Sequence, residues 1–287
     1  MSVATSPYEV PEPLAAPLDP RLQRGDGAAE IVFGAERLIH LYQRTPCRVL
    51  FPLPEPGEPP LAALLTTSGG LTGGDRLQLS VALETGARAT ITTAAAEKVY
   101  RSLGADATVT VTLAAAPGSW LEWLPQETIL FEGARLVRRI SAEVAAGGRL
   151  LAAETLVFGR AARGERLTRG LLHESWRLHR DGRLVWADAL RLDGDIARHL
   201  ASPVAFGSAG ALATAAYLGD DAPAQLDGAR ALAEAAGGAA TLVNGVLLAR
   251  FLAPRPEVVR RALARYVAGL RQAAGGLPAA LPRLWHT

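Results

Sequence analysis

The chain has 287 residues, 49% of them apolar, with 30 basic and 28 acidic side chains and a formal net charge of +2. That is enough apolar material for a sizeable core, and no run of Lys/Arg interleaved with aromatics offers a nucleic-acid track. Lys98 is the only lysine and Cys47 the only cysteine, so no intramolecular disulfide can form, which fits a reducing compartment.

Residues Met1 to Pro20 carry Pro7, Pro11, Pro13, Pro17 and Pro20, with neither a basic start nor an apolar stretch. They read as a disordered leader rather than a signal peptide, and we place the leader at residues 1–27. No segment reaches the ~18 uninterrupted apolar residues of a membrane helix, so a cytoplasmic protein is expected.

From about residue 28 to 205 the apolar period is two. Leu77, Leu79, Val81 and Leu83 alternate with polar or small residues, as do Ala87, Ala89 and Ile91, and then Ala107, Val109, Val111 and Leu113. Such alternation predicts strands with one buried face. Turn signals separate them at Thr85-Gly86, Pro117-Gly118, Gly147-Gly148 and Asp181-Gly182. Gly86, Gly118, Gly148 and Gly182 follow one another at 32, 30 and 34 residues, and each precedes a strand. A repeat of this kind suggests β-layers stacked along an axis. Hairpins give regular turns too, and the copies share no residue signature, so the residues alone favour an antiparallel meander.

The last third, about 205–287, differs. Gln225 to Ala236 predicts a helix ended by Gly237-Gly238. Residues 240–253 predict a strand pair turning at Asn244-Gly245. Pro256 opens a second helix, with Val259, Leu263, Tyr266, Val267 and Leu270 on one face and Gly275-Gly276 at its end.

Motifs for chemistry are sparse. The run Gly69-Gly70-Leu71-Thr72-Gly73-Gly74-Asp75 ends in a carboxylate and leads into a strand, so it is no phosphate loop. His40, His173, His179, His199 and His286 form no metal-binding spacing, and no nucleophile elbow is present. What stands out is acidic residues on apolar strand parity. Glu154 sits among Leu150, Ala152, Leu156 and Phe158, and Asp188 among Leu184, Trp186, Leu190 and Leu192. Glu122 shares a face with Trp120 and Leu124, and Glu97 follows an alanine run. A carboxylate in such a place costs several kcal/mol unless paired, hydrated or metal-bound. Three readings follow: salt bridges to arginines such as Arg160, Arg163 and Arg191; an acid/base pair, Glu154 with Asp188, in a carbohydrate-active β-enzyme; or an oxygen-lined path for a divalent cation, which would hold a transition metal loosely and exchange it quickly.

Several segments resemble one family. SGGLTGGDRL, GARATITTAAAEKVYRS, LEWLPQETILFEGARL, the stretch from Glu154 to Arg160 with Gly-Glu-Arg following, and the terminal LPRLWHT occur in the order found in the urease accessory proteins of the UreD (UreH) type. The resemblance runs from about residue 28 to the end. It implies a mostly β, β-helix-like body of two stacked sheet layers, with two α-helices in the C-terminal part. That fold favours stacking over the meander. It further implies a non-catalytic scaffold on apo-urease, with UreF-type and UreG-type proteins as partners and transient Ni2+ as cargo passing through a hydrated interior. Carried onto this chain, Glu154 and Asp188 match acidic strand positions of the passage. Glu97 stands where the family often has a small polar residue. Thr72, Gly73, Gly74 and Asp75 fit the glycine motif beside the passage. Lys98, Tyr100 and Arg101, with Gln126 and Glu127 of the Leu-Pro-Gln-Glu motif, are expected to be architectural or to face a partner.

Overall fold

The computed structural model describes residues 24–286. The expected leader lies outside the described residues up to position 23. Its assigned end moves inward, because the first strand already begins at Asp26.

The strands, in chain order, are β1 (Asp26–Phe33), β2 (Leu38–Arg44), β3 (Cys47–Leu50), β4 (Leu61–Thr66), β5 (Arg76–Leu83) and β6 (Arg88–Thr93). Then come β7 (Glu97–Val99), β8 (Ala107–Ala115), β9 (Trp120–Leu124), β10 (Thr128–Leu130), β11 (Arg135–Val144) and β12 (Arg149–Phe158). The last are β13 (Arg169–Arg180), β14 (Arg183–Asp195), β15 (Ala211–Leu218), β16 (Ala239–Val243) and β17 (Val246–Ala253). Three helices punctuate them: α1 (Ile196–Ala201), α2 (Leu226–Ala235) and α3 (Pro256–Gly275).

Two sheets form. One runs β14-β13-β11-β8-β5-β1-β2, the other β16-β17-β15-β12-β9-β6-β4-β3, with β7 and β10 attached to its side. In the middle of both, neighbours are parallel: β1, β5, β8, β11 and β13 in the first, β4, β6, β9 and β12 in the second. The chain therefore coils, alternating between sheets, and the meander favoured by the residues alone is corrected to a stack. The turn glycines form a column: Gly86 N donates to Pro117 O and Gly118 N to Gly147 O. Gly86, Gly118 and Gly147 have φ of 73°, 70° and 74°, a conformation that costs glycine little.

The alternation has its expected result. Ile31, Val81, Val111, Ile140 and Leu172 of the first sheet meet Ile91, Leu121, Leu150 and Leu156 of the second in one core. The second sheet is covered on its far side too. Leu151, Ala153, Ala213, Tyr217 and Phe251 pack under Leu263, Tyr266, Val267 and Leu270 of α3, with α2 beside them. Two apolar faces explain why β12 and β15 are buried almost throughout. The two C-terminal helices and the hairpin at Asn244-Gly245 lie where expected, and α1 is an addition to them. Asp195 caps α1, accepting from Arg198 N.

The glycine motif is a tight crossing. A Cβ on Gly73 would stand 2.1 Å from Ser102 Oγ and 2.4 Å from Ala105 O. Gly73→Ala should therefore cost about 1–3 kcal/mol through overpacking. Thermal unfolding checks this: the midpoint should fall by several degrees, and an unchanged midpoint would show that the crossing can open freely.

Candidate functional site

The core between the sheets holds a buried group of charges. On β11, Arg138 occupies the inward parity between Leu136 and Ile140; on β13, Glu174 lies between Leu172 and Trp176. Pairing sets Arg138 directly beside Glu174. Glu154 faces them from β12. Arg138 Nε donates to Glu174 Oε2 at 2.7 Å, Nη2 donates to the same oxygen, and Nη1 donates to Thr128 Oγ1 at 2.8 Å. Nη1 also sits 2.8 Å from Glu154 Oε2, at an angle that supplies charge without a hydrogen bond. Two indoles complete the group: Trp123 Nε1 donates to Glu154 Oε1 at 2.9 Å, and Trp176 Nε1 to Glu174 Oε1 at 3.1 Å. Arg138, Glu154 and Glu174 are all at most 5% exposed.

Glu97 extends the line. It is the rung neighbour of Thr128, and its Oε2 accepts from Thr66 Oγ1 at 3.1 Å. Burial raises its carboxyl above the usual value, against the pull of Thr66, Lys98 and Arg138. Burial likewise pushes Glu154 up to about 7; Arg138 and Trp123 oppose this and Glu174 adds to it. Burial works against the charge on Arg138, but Glu154 and Glu174 hold it protonated. The line has a cavity near each end. One of about 160 Å³ is lined by Cys47, Thr66, Thr93, Glu97 and Lys98, the other, of similar volume, by Glu174, Asp188, Phe206, Thr214 and Arg250. Among the described residues no group of three or more His, Cys, Asp or Glu side chains could hold a metal ion. The oxygens are strung out, not gathered.

The helical core has its own ion cluster. Arg271 of α3, fully buried, donates from Nε and Nη2 to the two oxygens of Glu122, each at 2.9 Å. It also grips both oxygens of Glu58 and the carbonyls of Pro278 and Ala280. Thr90 Oγ1 donates to Glu122 Oε2. This guanidinium pins α3 and the C-terminal segment to the sheet.

A family model described as UreD urease accessory protein matches residues 25–286. The chain is 45% identical over 280 residues to a urease accessory protein UreD of Methylobacterium sp., covering 93% of this chain and 97% of that one. It is 46% identical over 239 residues to that of Granulibacter bethesdensis, covering 83% and 99%, and 43% identical over 259 residues to that of Magnetococcus marinus, covering 88% and 89%. The chain belongs to the UreD urease accessory protein family.

For this UreD family member the remaining expected residues fall as follows. Asp188 shares parity with Trp186 and Leu192 but is only half-buried, because β14 edges its sheet; it pairs with Arg250 of β17. The arginines expected to serve the interior acids do not. Arg160 pairs with Glu165 and Arg191 with Asp193, while Arg163 sits exposed in a short turn. The actual partners are Arg138, Arg271 and Arg250. Asp75 is buried and accepts from Gly25 N, Thr72 N and Thr72 Oγ1, fastening the glycine turn to β1. Tyr100 donates to Gly69 O and packs edge-on against Phe131, and Arg101 bridges to Ala134. Lys98 keeps its side chain exposed at the mouth of the first cavity. Gln126 donates to Thr93 O and Leu284 O, while Glu127 is held by Arg260 at 2.6 Å, so this motif locks α3 and the C-terminal segment. Arg138, Glu174 and Arg271 were missed by sequence reasoning. The parity rule that found Glu154 also marks the first two, and Arg271 lies four residues after Val267 on the buried helix face.

The raised Glu154 carboxyl fixes a sign. A group that holds its proton more tightly folded than unfolded lends stability below its ordinary value, near 4.5, and that stability is lost as pH rises through about 7. Glu97 shifts in the same direction. The melting temperature should therefore fall by a few degrees between pH 5 and pH 8, and Glu154→Gln should flatten that fall. A variant as pH-dependent as the parent would assign the titration elsewhere.

Proposed function

We propose that this protein is a non-catalytic, cytoplasmic scaffold that binds apo-urease together with UreF-type and UreG-type accessory proteins and eases nickel delivery to the urease metallocentre. Family membership supports the urease role. The observation that carries the nickel reading is the interior line of oxygens from Glu97 through Thr128, Glu154 and Glu174 between two cavities. Oxygen donors bind a borderline transition metal weakly and release it fast, which suits cargo in transit. In this reading Arg138 is the resident counter-ion that neutralises the carboxylates while no cation is there. Asp188 lines the cavity beside Glu174, where a cation would enter or leave.

Partner binding has support of its own. Ile39, Leu41 and Tyr42 of β2, and Leu50, Phe51 and Leu53 at and after β3, are exposed apolar side chains where both sheets reach an edge. Such a surface marks a protein interaction site. A second reading, an adaptor whose acids serve structure alone, is favoured by the ion pairs Glu154–Arg138 and Asp188–Arg250. Those same pairs weigh against a carbohydrate-active enzyme, since neither carboxylate is free to act as nucleophile or base.

Pull-down with urease structural subunits and a UreF-type protein tests the scaffold, and nickel-dependent urease activation tests the path. Capture is expected for the parent. For the variant Glu97→Gln plus Glu154→Gln, capture should persist while activation falls severalfold. Failure of the parent to capture either partner defeats the scaffold, and undiminished activation by the variant leaves the adaptor reading.

A further inference from the structure

The seven-stranded sheet buries one face against the ten-stranded sheet, whereas α2 and α3 pack on the far side of the latter. Among the described residues its outer face carries no helix of that kind. Pairing sets Thr110, Arg139, Ser175 and Ala189 in one row across four strands, and Thr112, Ser141, Arg177 and Ala187 in the next. Around Ser175, Ala187 and Ala189 this leaves a depression of about 440 Å³, with Arg139, His173 and Arg177 among its lining. Asp188 also borders it but is neutralised by Arg250. Arg139 and Arg177 are exposed, and among the described residues neither makes a hydrogen bond or ion pair. Their neighbours Arg135 and Arg191 are already taken, by Asp106 and Asp193. Two guanidinium groups thus stand over a floor of small side chains with nothing to neutralise them.

We propose that this face docks an extended acidic segment of a partner protein, with carboxylates at alternate positions. The spacing is the argument. Arg139 and Arg177 are diagonal neighbours on paired parallel strands, about 8 Å apart from a strand spacing of ~4.8 Å and two residues of ~3.3 Å rise. Alternate residues of an extended chain are ~7 Å apart and point the same way. Each carboxylate of a Glu-x-Glu segment therefore meets one guanidinium in its planar fork, the geometry that favours arginine over lysine. The small floor lets the segment's backbone lie close to the sheet. Nucleic acid is the poorer match, since among the described residues the depression offers no exposed Phe, Tyr or Trp side chain for a base and two free arginines for a phosphate chain.

Fluorescence anisotropy with a labelled ten-residue peptide of alternating Glu and Ser tests this at low ionic strength. The parent protein should bind it, and Arg139→Glu plus Arg177→Glu should weaken binding at least tenfold. Arg261→Glu plus Arg265→Glu, which alters exposed arginines of α3 behind the other sheet, should leave binding unchanged. An oligouridylate of equal charge should bind more weakly than the peptide. The proposal is overturned if the parent does not bind the peptide, if both double variants lose binding equally, or if the oligouridylate binds as tightly. Circular dichroism of each variant guards against misfolding; should Arg139→Glu plus Arg177→Glu unfold, Arg139→Gln plus Arg177→Gln takes its place with the same expected direction.

Discussion

Between the two sheets, the Arg138 guanidinium faces Glu154 and Glu174 in a space otherwise filled by leucine, isoleucine and tryptophan side chains. A lone charge there would cost several kcal/mol. Three charges with two indoles and a threonine hydroxyl form a set in which nearly every polar atom has a partner, and the surplus carboxylate responds by holding its proton more tightly. The arrangement ties β10, β11, β12 and β13 together across both sheets. The groups that make the interior polar are thus also those that fasten strands of the two sheets to one another.

The second core repeats the solution. Arg271 gathers Glu122, Glu58 and two carbonyls, and Arg260 gathers Glu127 and Gln126, so that α3 and the terminal segment are held by directional bonds as well as by apolar burial. Arg88 and Arg149 donate to the last carbonyls of α3, at Gly275 and Ala274. Positive groups at a helix C-terminus satisfy orphan acceptors and oppose the helix dipole. Residues far apart in the chain thereby fix one helix in one place.

Much of this is legible in the residues. Period-two alternation places β5, β6, β8, β9, β12 and β14, and the Pro and Gly signals place α2, α3 and the hairpin between them. The inward carboxylate at Glu154 follows from its neighbours alone. The choice between meander and stack does not, because a turn glycine looks the same in either; only register, a non-local property, separates Gly118 donating to Gly147 from a hairpin turn. Charge partners fail for a related reason. Arg160 and Arg163 are near Glu154 in sequence, but parallel pairing brings Arg138 and Glu174 from other coils. Asp188 reads as interior by parity, yet it lies on the edge strand β14, where it meets Arg250 at half-burial.

If Arg138 is the counter-ion that makes the inter-sheet carboxylates tolerable, removing it alone and removing all three charges must differ. Denaturant unfolding of Arg138→Met, against Arg138→Met with Glu154→Gln and Glu174→Gln, measures that difference directly. The single variant should lose about 3–5 kcal/mol, the typical cost of stranding a buried partner, and the triple variant should recover most of it. Equal losses in both, or a single variant within about 1 kcal/mol of the parent, would contradict the account.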